Sequence, residues 1–129
     1  MVALARQGSR LLVLDENRLL ALGSSLGWQA EELLPALVET FVVDAELLLD
    51  DARRALADDD GADLCGVACA LGSLCRTFGA MELALVVRSL ELDAGRGQLD
   101  SARAAMPKAY AALARARHAL LNAVGTRPA

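Results

Sequence analysis

Residues 64–91 read LCGVACALGSLCRTFGAMELALVVRSLE, and this stretch decides the fold of the chain. In its first half, apolar side chains recur at spacings of three and four, which predicts a helix with one buried side. The buried side comprises Leu64, Val67, Ala68, Leu71, Leu74, Cys75 and Phe78. The outward side comprises Cys65, Cys69, Gly72, Ser73 and Arg76. Arg76 is the only charged residue between positions 64 and 78, so we expect a second surface to approach this small, uncharged face closely.

The rest of the sequence predicts four more helices around this one. Asp15 is expected to cap a short helix, and a long helix follows from residue 29 or 31 to residue 57, with Pro35 in its first turns. A further helix is expected over residues 80–93, and a last one from residue 100, which Pro107 should kink or split. These lengths predict an all-α fold, an antiparallel up-and-down four-helix bundle with a short extra N-terminal helix.

The length of 129 residues suits one domain with one core. We divide the chain into an N-terminal arm (residues 1–14), a helical bundle (15–124) and a frayed C-terminus (125–129). The arm ends in an apolar anchor at residues 11–14, which is too short for a signal-peptide core. No apolar run reaches the roughly 18 to 20 residues that a membrane span needs. We therefore expect a cytoplasmic protein with reduced cysteines, and no membrane partner.

Charge is unevenly distributed along the chain. Residues 1–64 contain 13 acidic and 5 basic residues, whereas residues 65–129 contain 4 acidic and 8 basic residues, so the two halves of the bundle should attract each other. The net charge is −4, and no cluster of Lys and Arg occurs. Because nucleic-acid binding requires basic side chains that neutralise phosphates, we exclude DNA and RNA as partners.

The segment ACALGSLCRTFGA at residues 68–80 resembles the histidine-containing phosphotransfer (HPt) domain family, whose core motif reads A-H-x-L-K-G-S-x-x-x-x-G-A. Aligning Gly79 and Ala80 with the Gly-Ala pair of the motif places Ala68 on its Ala and Leu71 on its Leu. The same alignment places Cys69 on the phosphorylated histidine. No histidine occurs between residues 1 and 117, so the absence of the acceptor does not depend on the register.

Two neighbouring positions also depart from the motif, because its lysine becomes Gly72 and its glycine becomes Ser73. In the family, the exposed imidazole takes a phosphoryl group from an aspartate of a receiver domain, and the lysine holds the phosphoryl oxygens. The resemblance therefore implies a two-component phosphorelay protein that docks on a response-regulator receiver domain, or on a hybrid histidine kinase, as an adaptor or competitor. It implies no catalytic residue and no cofactor. The partner-binding residues implied are Cys65, Cys69, Gly72, Ser73 and Arg76.

A second hypothesis keeps phosphotransfer activity and assigns it to His118 or to Cys69. His118 is the only histidine, and it lies outside the apolar stripe of the last helix. Cys69 has no Lys, Arg or His at i±3 or i±4 to favour its thiolate form. Cys65 and Cys69 have a spacing that suits two metal ligands, but a zinc site needs about four, so we assign no metal. A redox role of this pair stays open.

A third hypothesis is a helical scaffold without any link to phosphorelay. Val43 and Leu47 lie outside the apolar stripe of the long helix, four residues apart. They would contact either the anchor at residues 11–14 or a second copy of the chain, so the expected state is a monomer or a weak homodimer.

Overall fold

A computed structural model describes residues 13–125, and all of the regular structure in this range is helical. The helices are α1 (Glu16–Leu26), α2 (Ala30–Ala57), α3 (Gly61–Phe78), α4 (Met81–Gly95) and α5 (Leu99–Ala123), with one 3₁₀ turn, Gly27–Gln29, between α1 and α2. Helices α2 to α5 each pack against the next one, and α5 packs back against α2. The predicted up-and-down four-helix bundle is confirmed. The short helix α1 packs across α2 and α3.

Polar side chains and glycines define the helix ends, and Asp15 caps a helix as predicted. The carboxylate of Asp15 accepts a hydrogen bond from the backbone N–H of Asn17 (3.1 Å) and caps α1. Asp60 caps α3 in the same way, by accepting from the N–H of Asp63 (3.0 Å). Gly79 ends α3 in the left-handed conformation (φ 78°), which glycine adopts without steric cost.

Both internal prolines lie inside helices. Pro35 is near the start of α2, as expected. Pro107 lies within α5, which runs from Leu99 to Ala123 as one helix, so the expectation that it might split off a first turn is wrong. Pro107 is exposed, so its ring lies on the solvent side of α5 and not in the core.

The core is entirely apolar in the part of the chain that the structure describes. Phe41 of α2 stacks on Phe78 of α3, with ring centroids 4.7 Å apart and an interplanar angle of 26°. Buried alanines from four helices let the helix axes approach closely. These include Ala45, Ala52, Ala68, Ala84, Ala109, Ala112 and Ala116.

Arg103 joins the end of α2 to the start of α5. Its guanidinium donates to the carbonyl oxygen of Leu56 (2.6 Å) and to the carboxylate of Asp100 (2.8 Å), and it also pairs with Asp59. One side chain therefore satisfies a terminal carbonyl of α2 and two carboxylates near it.

Only part of the predicted N-terminal arm lies within the described residues. Leu14 packs against the core, and the carbonyl oxygen of Val13 accepts from the N–H of Met81 (3.1 Å). Residues 1–12, which contain the rest of the arm and of the anchor, and residues 126–129 of the expected frayed end lie outside this range.

Several large apolar side chains are exposed. Trp28, in the 3₁₀ turn, is 88% exposed, and the others are Leu20, Leu33, Val43, Leu47, Leu85 and Leu92. Between residues 13 and 125, no helix is both long and apolar enough to cross a membrane.

Candidate protein-docking face on helix α3

Helix α3 presents a small, nearly uncharged surface to solvent. Cys69 and Ser73 are exposed, as the sequence predicts, and Cys65 is half-buried. Ala70 and Gly66 are exposed beside them and add no side chain beyond a methyl group. We call this surface the α3 face and define it by Cys65, Cys69, Ser73 and Arg76.

Gly72 does not belong to the exposed part of this face, and its predicted exposure is wrong. It is buried, because the side chain of Arg76 lies over it from one side and α4 packs against it from the other. A methyl carbon placed on Gly72 would lie 3.3 Å from Nη1 of Arg76 and 3.8 Å from Cγ1 of Val87. The missing side chain thus leaves room for the guanidinium of Arg76 one turn away.

Arg76 holds its charge close to the exposed residues of the face. Its Nη2 lies 3.4 Å from Oγ of Ser73, within hydrogen-bonding distance, and the side chain folds back along α3 toward Cys69. No carboxylate pairs with Arg76 within residues 13–125. The face therefore carries one positive charge that the rest of the described chain does not neutralise.

The turn after α3 fixes the position of the face relative to α1. The N–H of Asp15 donates to the carbonyl oxygen of Gly79 (2.7 Å). A methyl carbon on Gly79 would collide with the carbonyl oxygen of Asp15, so only glycine allows this approach. Arg18 of α1 also lies 3.5 Å from the carbonyl oxygen of Arg76 through its Nη1. The start of α1 thereby covers the C-terminal end of α3 and leaves Ser73 exposed.

The three cysteines differ in their environment, and none is in a disulfide. Cys75 points into the core, where burial raises the pKa of its thiol to about 12 even though the charge of Arg76 opposes the rise. Cys69 points outward. Within residues 13–125, no group of three His, Cys, Asp or Glu side chains has the arrangement of a metal site.

His118 is distant from the α3 face. It is exposed on α5, which packs against α2 and α4 and lies diagonally across the bundle from α3. A side-chain nitrogen of Asn122 lies 3.1 Å from Nε2 of His118. Arg115, three residues earlier, is paired through two hydrogen bonds of 2.9 Å with Glu82 of α4. The structure therefore does not bring His118 together with Cys69 in one site.

Sequence reasoning missed the position of the Arg76 side chain and, with it, the burial of Gly72. The signal was present, because Gly72 and Arg76 are four residues apart and adjacent on a helix surface. A long side chain at i+4 folds toward the N-terminus of its helix and covers a glycine there.

Comparisons with known proteins agree with this architecture. Residues 36–124 match the sequence model of the Hpt domain. Among solved structures, the chain is similar to histidine-containing phosphotransfer protein B (HptB) from Pseudomonas aeruginosa PAO1, with 27% identity and a TM-score of 0.79. That match covers 90% of this chain and 97% of HptB. A search of curated proteins finds no significant match.

The chain belongs to the Hpt domain family. Members of this family interact with receiver domains of response regulators and with kinases, and they carry phosphoryl groups rather than turn over a substrate. The chain is accordingly a protein of two-component phosphorelay. This result contradicts the third hypothesis, a scaffold without a link to phosphorelay.

Proposed function

We propose that this protein docks on the receiver domain of a response regulator through the α3 face but does not accept the phosphoryl group. The proposal rests on one combined observation: the α3 face is exposed and nearly uncharged, and Cys69 in it stands where the motif has histidine. The only histidine of the chain, His118, lies on α5. The proposed docking surface therefore contains no histidine that could accept a phosphoryl group.

The shape of the α3 face supports close docking. Cys69, Ala70 and Ser73 have short side chains, so a partner's loops can approach the backbone of α3. Short side chains also lose little conformational entropy when a partner covers them. Affinity would come from shape complementarity and from apolar burial at the centre of the contact.

Arg76 supplies the charge that orients the partner. The reactive end of a receiver domain is a cluster of carboxylates, and Arg76 has no carboxylate of its own in the described part of the chain. Since Ser73 and the surface of Gly72 already restrict the guanidinium, little side-chain entropy remains to be lost on pairing. Arg76 would therefore meet the acidic end of the receiver without rearrangement.

Phosphoryl acceptance fails in this proposal because the nucleophile is unsuitable. In the family reaction, the Nε2 lone pair of an imidazole forms an N–P bond while the P–O bond of the aspartyl phosphate breaks and the carboxylate leaves. Cys69 offers a thiol, which is nucleophilic only as a thiolate. Arg76 contacts Ser73 rather than Cys69, and no other basic residue of α3 is near this thiol.

The docking surface is tested by calorimetric titration with the partner receiver domain. We expect Ser73→Arg to weaken binding at least about a hundredfold, which corresponds to about 2.7 kcal/mol, because a long charged side chain would separate the two surfaces. Ala111→Arg, at an exposed position of α5, is the matched control and should bind like the wild type. Equal affinities of the Ser73→Arg and wild-type proteins would place the docking site elsewhere.

The acceptor position is tested by restoring the imidazole. We expect Cys69→His to take up one phosphoryl group from a phosphorylated receiver, as measured by intact mass, and the wild-type protein to take up none. The double variant Cys69→His with His118→Ala should be labelled to the same extent, since His118 lies across the bundle. Label on the wild-type chain that His118→Ala or Cys69→Ala removes would instead establish the second hypothesis, an active phosphotransfer protein.

A further inference from the structure

The solvent side of α2 carries an apolar stripe that nothing in the described chain covers. Leu33, Ala36, Thr40, Val43 and Leu47 follow one another at spacings of three, four, three and four and are all exposed. Leu33, Val43 and Leu47 are 40%, 57% and 58% exposed. We call these five residues the α2 stripe.

The α2 stripe has the geometry of a helix-pairing surface. It lies on the side of α2 opposite to the core residues Val38, Phe41 and Ala45. The spacings alternate between three and four over four turns, so these residues stay on one side of the helix over about 21 Å. This is the pattern by which two helices pair. No charged residue interrupts the α2 stripe, and the Asp51–Arg54 ion pair follows its last turn.

Carboxylates flank the α2 stripe on both sides. Glu32, Glu39 and Glu46, seven residues apart, run along one edge, and Asp44 lies on the other. None of these four makes an ion pair within residues 13–125. Arg117 of α5 borders the groove beside Glu39 and Glu46 but forms no salt bridge with either. This edge therefore has an excess of negative charge, with three carboxylates and one guanidinium.

The carboxylates beside the α2 stripe indicate which kind of partner binds there. If a second copy of the chain paired through the α2 stripe, like charges would meet in either helix orientation. The two glutamate rows would face each other in an antiparallel pair, and the glutamate row would face Asp44 in a parallel pair, which is unfavourable. We propose that the α2 stripe binds an amphipathic helix of another protein that carries apolar residues at spacings of three and four and Lys or Arg beside them. The α2 stripe and the α3 face are on different helices, so this contact is additional to receiver docking.

The probe for this proposal is a helical peptide of three heptads with Leu at the a and d positions and Lys at e and g. Its matched control has the same leucines and Glu at e and g. We expect the full-length protein to bind the Lys peptide at least about tenfold more tightly than the Glu peptide in fluorescence anisotropy at low salt, because only the Lys peptide complements the glutamate row.

Variants of exposed residues locate the contact. Val43→Gln with Leu47→Gln should weaken Lys-peptide binding at least about fivefold, since this pair provides the apolar centre of the α2 stripe. Leu85→Gln with Leu92→Gln, which changes two exposed leucines of α4, should leave it unchanged. Glu39→Gln with Glu46→Gln should lower both the affinity and its dependence on salt.

The experiments distinguish helix binding at the α2 stripe from receiver docking at the α3 face. Val43→Gln with Leu47→Gln should leave receiver binding intact, so receiver docking can fail or succeed independently. Equal binding of the two peptides, absence of binding, or an equal effect of the two leucine pairs would overturn the proposal. Sedimentation showing a dimer that Val43→Gln with Leu47→Gln dissociates would overturn it in favour of a second copy of the chain.

Discussion

Helices α2 and α3 both present a surface with few or no charges to water, but the side chains of the two surfaces differ in size. The α3 face has short side chains at its centre, at Cys69 and Ser73, and one cation, Arg76, which pairs with no carboxylate within residues 13–125. The α2 stripe includes larger apolar residues, such as Val43 and Leu47, and lies between carboxylates that form no ion pair in the described part of the chain. A flat surface with short side chains suits a partner that must reach the backbone, whereas projecting side chains suit insertion between those of another helix.

The difference shows that absence of charge alone does not define a docking surface. Side-chain volume decides how close a partner comes, and the sign of the flanking charge decides which partner comes. By these two criteria, the α3 face fits an acidic, loop-rich surface and the α2 stripe fits a basic helix.

The largest expected effect concerns the two sides of α3 itself. Cys69 should react with a thiol reagent at pH 8 at least about a thousandfold faster than Cys75, because Cys75 reacts only after the core opens at a cost of several kcal/mol. Quantifying the modified thiols by mass spectrometry during native labelling checks this order. Rapid labelling of Cys75 without denaturant would show that the side of α3 that carries Cys75 is not buried.

The pKa of Cys75 adds a pH dependence to the same residue. Its thiol ionises near pH 9 in the unfolded chain and near pH 12 in the folded one, so the unfolded state loses the proton first. The Cys75 thiol does not change stability well below pH 9, and between pH 9 and pH 12 it lowers stability by at most about 1.4 kcal/mol per pH unit as pH rises. Cys75→Ala should remove this part of the alkaline loss, which denaturant titrations at pH 8 and pH 10.5 measure.

The next largest effect separates the α3 face from the α2 stripe. Gly79→Ala should destabilise the protein by about 3 kcal/mol, because it combines a left-handed backbone with a collision against the carbonyl oxygen of Asp15. Urea titration followed by circular dichroism measures this loss. Gly97→Ala is the matched control, since Gly97 has φ 71° and open space around it, and should cost only about 1 kcal/mol.

The Gly79→Ala substitution should affect binding at the α3 face and at the α2 stripe differently. Gly79→Ala should weaken receiver binding, because it displaces the start of α1 from the end of α3, and should leave binding of the Lys peptide to α2 unchanged. Equal losses of stability in the Gly79→Ala and Gly97→Ala variants would show that the close approach of Gly79 to the carbonyl oxygen of Asp15 does not contribute to stability.

The smallest effect is expected at Gly72. Gly72→Ala should weaken receiver binding only a few-fold, since the new methyl group, 3.3 Å from Nη1 of Arg76, displaces a flexible guanidinium. The gain in helix propensity, up to about 1 kcal/mol, should offset any strain. Gly66→Ala, which has nothing within 4 Å, should stabilise the helix without an effect on binding. Loss of binding in both variants would exclude an effect specific to Arg76.

Much of the fold follows from sequence patterns because local chemistry determines it. Asp15 and Asp60 cap helices through hydrogen bonds two and three residues away, and Gly79 ends α3 through its own backbone freedom. These signals involve neighbours in sequence, so they are visible without coordinates. The exposed positions of Val43 and Leu47 follow in the same way from helical periodicity.

The parts that sequence reasoning got wrong depend on neighbours from other elements or on solvent. The burial of Gly72 results from the side chain of Arg76, whose spacing of four residues is visible in the sequence, and from Val87 of α4, which the sequence of α3 does not specify. Helix α5 continues through Pro107 although proline favours a break, and the proline ring lies on the exposed side of the helix. The partner-binding role of the α3 face stays a prediction until a receiver is titrated.

The exposure of Trp28 determines how this protein is best observed. As the only indole, and 88% exposed in the native state, it should emit at the long wavelengths of a hydrated fluorophore both before and after unfolding. Fluorescence is therefore a poor reporter of denaturation here. It is a sensitive detector of any molecule that covers the corner between α1 and α2, where a blue shift would be the sign of contact.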